Sequence, residues 1–142
     1  MTFHLRDHTA DVAVEAEAGT LSGVFAAVAD GLTAAMCDAI PAPSTGDEPV
    51  TFTVEAESRE ALLFDYLDQL IYERDVREVL PVDHEAAVSS PDADGGKWRV
   101  EGRARGIPLA RVDAREIKAV TYSEMRLEAS DDGWEAYVVF DV

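Results

Sequence analysis

The sequence predicts an α+β fold, with two helices packed on one face of a mostly antiparallel β-sheet. Three features carry this. Stretches with period-two alternation outnumber stretches with helical spacing, and several strands are hairpin neighbours across short turn sequences. Both helical stretches also carry an apolar stripe that needs a sheet face to bury it.

The elements follow in order. Val12, Val14, Ala16 and Ala18 alternate with Ala13, Glu15 and Glu17, a half-buried strand that ends at Gly19-Thr20. Thr20 is placed to cap a helix in which Leu21, Val24, Phe25, Val28, Leu32, Ala35 and Met36 recur at helical spacing, as far as about Cys37. Pro41-Ala42-Pro43-Ser44-Thr45-Gly46-Asp47 is a loop. Val50, Phe52, Val54 and Ala56 make a second strand. Ser58 caps a second helix, about Arg59 to Arg74, with Leu62, Leu63, Tyr66, Leu67, Leu70 and Ile71 on its buried side. Val82, His84, Ala86 and Val88 form a third strand. A fourth carries Trp98, Val100, Gly102 and Ala104 on one face and Arg99, Glu101, Arg103 and Arg105 on the other. Gly106-Ile107-Pro108 is expected to interrupt it. Two final strands, Ile117 to Leu127 and Trp134 to Val142, are joined around Asp131-Asp132-Gly133.

The 142 residues fit a single domain, 1–142, long enough to build its own core. Apolar residues at 47% are too many for disorder, yet no run is long enough for a membrane helix. The opening residues meet charge at once, so no secretion leader is expected and a cytoplasmic location is predicted. Cys37 is the sole cysteine, which excludes intrachain disulfides and multi-cysteine metal sites. Twenty-nine acids against twelve bases give a net charge of -17. That field repels phosphate backbones and anionic membranes, so no membrane partner and little direct nucleic-acid binding are expected. Such self-repulsion is tolerable in strong salt, where the Debye length falls to roughly 3 Å at 1 M. With only Lys97 and Lys118 as lysines, the balance predicts a salt-adapted, halophilic source.

Asp7-His8-Thr9-Ala10-Asp11-Val12 gathers two carboxylates and an imidazole before a strand, and the sequence ends Phe140-Asp141-Val142. If the last strand lies beside the first, Asp11, Asp141 and the terminal carboxylate of Val142 converge. Three anionic oxygens suit a hard cation: calcium, magnesium or manganese. Among 29 acids the ordinary role of any two is solvated surface charge, so spacing alone does not make a site. His8 is placed either to orient an acidic ligand or as a structural histidine. His84 is expected to be structural and Cys37 a small buried hydrophobe. The arginines from Arg99 to Arg126 form the only basic concentration, and salt-bridging to the abundant acids is their expected role. No nucleophile triad order, phosphate-cradling loop or zinc-binding run is present.

Asp7-His8-Thr9-Ala10-Asp11-Val12 resembles the opening motif of the archease family. Glu116-Ile117-Lys118-Ala119-Val120-Thr121-Tyr122-Ser123 resembles its second signature, and Val138-Val139-Phe140-Asp141-Val142 its acidic C-terminus. The helix around Leu62-Leu63-Phe64-Asp65-Tyr66-Leu67 also fits. The sequence departs from the family where Arg111 and Asp113 occupy a region that carries a histidine in many members. The resemblance implies an accessory protein rather than an enzyme, acting on the GTP-dependent RtcB-type tRNA-splicing RNA ligase to promote guanylylation and multiple turnover. It implies a divalent metal, calcium foremost, at Asp11, Asp141 and Val142, with Asp7 a less certain neighbour. Lys118 is implied as the partner or phosphate contact. The alternatives are a metal-dependent phosphoester hydrolase and a general chaperone or modulator of an RNA-modifying enzyme.

Overall fold

The computed structural model describes residues 2–7, 11–91 and 96–142. Strands β1 (Thr2–Asp7) and β2 (Asp11–Ala18) are followed by helix α1 (Leu21–Met36), β3 (Glu48–Ala56), helix α2 (Arg59–Arg77), β4 (Val79–Ser89) and β5 (Trp98–Pro108). A short 3-10 turn, Leu109–Arg111, leads to β6 (Ala119–Ser130) and β7 (Gly133–Asp141). The expected helix starts are present. Thr20 accepts the Gly23 N–H at 2.9 Å and Ser58 the Ala61 N–H at 3.1 Å, each satisfying a donor left free by the first turn.

All strand pairs are antiparallel, and the α+β class with two helices stands. The strands divide, however, into two sheets, β1-β2-β7-β6 and β3-β5-β4, where the sequence pointed to one. Helix α1 lies against β2 and β4, and α2 against β3 and β6, so each helix bridges both sheets. The composition of α1 explains why. Val24 to Ala29 are buried without a break, and a helix apolar on every side needs cover on more than one side. At Gly31 an added Cβ would stand 2.5 Å from Val14 Cγ1, so glycine lets α1 lie flush on β2. Tyr66, from α2, fills the centre between Phe25 of α1 and Phe52 of β3, with both ring centroids at 5.7 Å.

Two expectations need correction. The first strand is β1, Thr2–Asp7, paired along its length with β2, whereas the sequence pattern puts the first strand at Val12. And β5 does not break at Gly106-Ile107-Pro108. Gly106 pairs on both sides, with Glu48 and Pro81, in the central strand of its sheet. An added Cβ there would meet the Glu48 carbonyl oxygen at 3.0 Å, so glycine marks close packing rather than a turn.

Candidate functional site

The β2–β7 register sets Asp11 opposite Asp141, and β7 sets Asp141 opposite Ala119 of β6. Directly opposed residues project to the same face with Cα atoms about 4.5–5.5 Å apart, so the two side chains leave the sheet on one face, although Asp141 does not line the cavity that Asp11 lines. The Lys118 N–H donates to the Asp141 carbonyl at 2.8 Å, which ties the second signature to the acidic end of β7. The Lys118 side chain is exposed and enters no ion pair among the described residues. Asp11 is half-buried, while Asp141 and Val142 are exposed. Asp11, Glu116 and Val142 line one open cavity of about 310 Å³ with Leu5, Ile117 and Arg115.

Arg115 braces this cavity. Its N–H donates to Met36 O at 2.6 Å and its Nε to Ala35 O at 3.1 Å, capping carbonyls that the end of α1 leaves unpaired. Its guanidinium also meets Asp38 at 3.1 Å, so a cation sits at the negative end of the helix. Sequence reasoning missed Arg115 and Glu116 as cavity residues. Glu116 stood in the second signature, but nothing in its spacing said that it would reach the Asp11 side.

The donors fit a hard cation in kind, since Asp11 and Asp141 both offer carboxylate oxygens. Their geometry is less complete. No group of three or more histidine, cysteine, aspartate or glutamate side chains is gathered for a metal among the described residues. Register unites two of the three expected ligands. The Asp7 side chain and His8 lie outside the described residues.

The remaining expectations can be read directly from contacts. Cys37 is buried and donates through Sγ to Ala39 O at 3.3 Å. The arginines are spent on acids: Arg99 on Glu55 and Glu101, Arg105 on Asp47 and Asp83, Arg111 on Asp47. The paired guanidiniums, Arg105 foremost, hold the Asp47 carboxyl below its usual range. Arg126 stands over the Tyr137 ring at 5.1 Å. Arg103 is exposed and enters no ion pair among the described residues, but the arginines around it are engaged and dispersed, and they do not form a phosphate-binding strip.

His84 is structural, as its pattern implied. A register shift in β4, with Asp83 at φ 54, turns it toward Thr33 of α1, whose Oγ1 lies 2.8 Å from His84 Nε2. Thr33 Oγ1 donates to Pro81 O at 2.7 Å, so it accepts from the histidine. Burial, more than any other cause, lowers the His84 pKa to about 4. Next to it, the His84 N–H donates to Asp30 Oδ1 at 3.2 Å, and burial raises the Asp30 pKa to about 6. The two groups push stability in opposite directions. The Asp30 contribution is complete below about pH 3.8 and is lost as pH rises through about 6. The His84 contribution is complete above pH 6.5 and is lost as pH falls through about 4. Asp30→Asn keeps the acceptor and removes the charge. It is expected to stabilise the protein at pH 7 by about 1 kcal/mol, a figure discounted for partial exposure, and to steepen the loss between pH 6.5 and 4. Urea unfolding across that range checks this, and a variant curve parallel to the wild type refutes it.

A two-sheet α+β domain with paired aspartates at the junction of three strands is the class of protein that the fold and site define. The family model for the archease protein family (MTH1598/TM1083) matches residues 3–142, and this chain belongs to that family. It is 31% identical to Protein archease of Pyrococcus furiosus, over 96% of this chain and 95% of that one. Its fold is similar to the solution structure of protein 1598 from Methanobacterium thermoautotrophicum, at TM-score 0.79 and 27% identity over 99% of this chain and 98% of the other. The crystal structure of an archease, possible chaperone, from Thermotoga maritima shares the fold at TM-score 0.58 and 22% identity, with 98% of both chains covered. Among the described residues no helix is long and apolar enough to cross a membrane.

Proposed function

We propose that this chain is an accessory protein, not itself an enzyme, that activates the GTP-dependent RtcB-type tRNA-splicing RNA ligase and promotes its guanylylation and multiple turnover. The observation that carries the reading is the pairing of Asp11 with Asp141, with the Lys118 backbone bonded to the same aspartate. Two carboxylates projecting from one face of a ladder are oxygen donors that a single hard cation could share. In the proposal Asp11, Asp141 and the Val142 carboxylate hold one divalent ion, calcium in first place and magnesium or manganese as alternatives. The bound ion supplies positive charge against phosphate oxygens. The chain's own residues do the rest. Arg115 fixes the wall beside Asp11, the Lys118 backbone holds Asp141 in register, and the free Lys118 ammonium is offered to the ligase or its nucleotide. The acidic surface favours a protein partner over naked RNA. We assign the protein to the cytoplasm of a salt-adapted, halophilic organism on its charge and its scarcity of lysine.

Multiple-turnover ligation with the purified cognate ligase, at high salt, with and without this protein, tests the reading. The expected result is turnover that continues past one cycle only when the protein is present, with no ligation by the protein alone. Hydrolysis of a model phosphoester by the protein alone supports the hydrolase instead. Suppressed aggregation of unrelated proteins without ligase stimulation supports the chaperone.

A further inference from the structure

Strand β6 leaves its ladder within the second signature, after Thr121. Thr121 pairs with Val139 and Arg126 with Tyr137, so the segment from Tyr122 to Met125 stands opposite Val138 alone. Within it Glu124 adopts φ 56, left-handed backbone that a non-glycine residue holds only when its surroundings impose it. The bulge is tied down: Ser123 N–H donates to Thr121 Oγ1 at 3.2 Å, and that hydroxyl donates to Val139 O at 3.0 Å. What the bulge achieves is to aim a tyrosine outward. Tyr122 is 56% exposed, and its ring lies flat on Phe64 of α2 with centroids 4.1 Å apart.

The stack continues along α2. Phe64, Asp68, Tyr72 and Val76 follow at four-residue spacing, a single ridge about 18 Å long. Tyr72 and Val76 are 56% and 60% exposed, on the side of the helix turned away from the core. Acids lie in and beside this stripe, with Asp68 within the ridge itself. Asp65, Asp68 and Glu124 enter no ion pair among the described residues, although this chain pairs acids with arginine at many other places.

We propose that Tyr122 and the Phe64–Asp68–Tyr72–Val76 ridge form a docking surface for another protein, whose contact patch is apolar at its centre and rimmed with arginine or lysine. This rests on the reading of the chain as an accessory to a protein, and adds where that partner seats. Exposed tyrosines with an apolar neighbour are the residues that carry binding energy at protein interfaces. The unpaired acids choose the partner's sign. A second copy would bring Asp65, Asp68 and Glu124 against their own like, and a nucleic acid would meet the same repulsion. Position supports the same conclusion. Ala119 stands beside Asp141, and Tyr122 is about 10 Å further along β6, so a partner seated there has the paired aspartates within reach.

The double variant Tyr122→Ser/Tyr72→Ser tests the surface. Both side chains are exposed, so its melting temperature should stay within a few degrees of the wild type's, and Tyr122→Phe should behave as the wild type. The readout is ligase guanylylation against increasing concentration of this protein. The half-saturating concentration should rise tenfold or more while the saturating rate is kept. An unchanged half-saturating concentration overturns the surface and leaves the proposed function standing. If the wild type does not stimulate the ligase, the proposed function fails, and the surface is judged with a leucine- and arginine-rich amphipathic peptide added to isotope-labelled protein. Amide shifts centred on 64–76 and 121–125, and lost in the double variant, support it. Shifts centred elsewhere, or none, overturn it. Dimerisation by ultracentrifugation that the double variant abolishes also overturns it, because the surface would then belong to a second copy.

Discussion

Asp141→Ala is expected to abolish the stimulation of ligase guanylylation while leaving the fold intact. Asp141 is exposed near the end of β7, and its contacts with β2 and β6 are backbone pairings that alanine keeps. Without metal the variant should melt at or slightly above the wild type, since removing one of two directly opposed like charges returns a few tenths of a kcal/mol to about 1 kcal/mol. With metal the order reverses. A ligand at a hundredfold excess over its Kd stabilises the folded state by about 2.7 kcal/mol, so calcium should raise the wild-type melting temperature and leave the variant almost unmoved. Loss of one carboxylate from a hard-cation site is expected to weaken calcium affinity. Calorimetric titration and melting with and without calcium decide the matter. An equal calcium-dependent rise in both proteins removes Asp141 from the site. Equal stimulation by both removes the site from the mechanism.

Phe25→Ala is expected to cost about 3–5 kcal/mol, a large share of the roughly 5–15 kcal/mol by which domains of this kind are stable. Phe25 is fully buried on α1 and meets Tyr66 from α2, which in turn meets Phe52 from β3. Truncating it empties the place where both helices and the three-stranded sheet converge. The surrounding elements are anchored in two different sheets and cannot collapse together to fill the void. Urea unfolding should show a lower midpoint with an unchanged slope, since the surface exposed on unfolding is nearly the same. A cost near that of a surface change, within about 0.5 kcal/mol, would contradict this account of the core.

The sequence by itself determined the local elements and the family. Thr20 and Ser58 announced the helix starts, because a hydroxyl before an apolar periodic run has few better uses than the free N–H groups of a first turn. Alternation in Val12–Ala18 and Val50–Ala56 determined which side chains face inward, since a one-residue slip would turn each set to solvent. The alternation of Phe3 and Leu5 with His4 carries a signal for β1 as well, but it is short and the acid-rich run that follows masks it. For the candidate site, the motifs named Asp11 and Asp141, and β2–β7 pairing made them neighbours.

Only the tertiary structure decided the partition into two sheets, the contribution of Arg115 and Glu116 to the cavity, and the outward turn of Tyr122. The reason is common to all three. Periodicity reports which face of an element is buried, but not which other element buries it. Helix α1 shows the limit: its nearly continuous run of small and apolar residues called for cover on two sides, yet only the fold shows β2 on one and β4 on the other. The bulge in β6 shows it again. A period-two pattern continues on paper through Tyr122, while pairing with β7 skips past it and leaves the ring stacked on Phe64, 58 residues away along the chain.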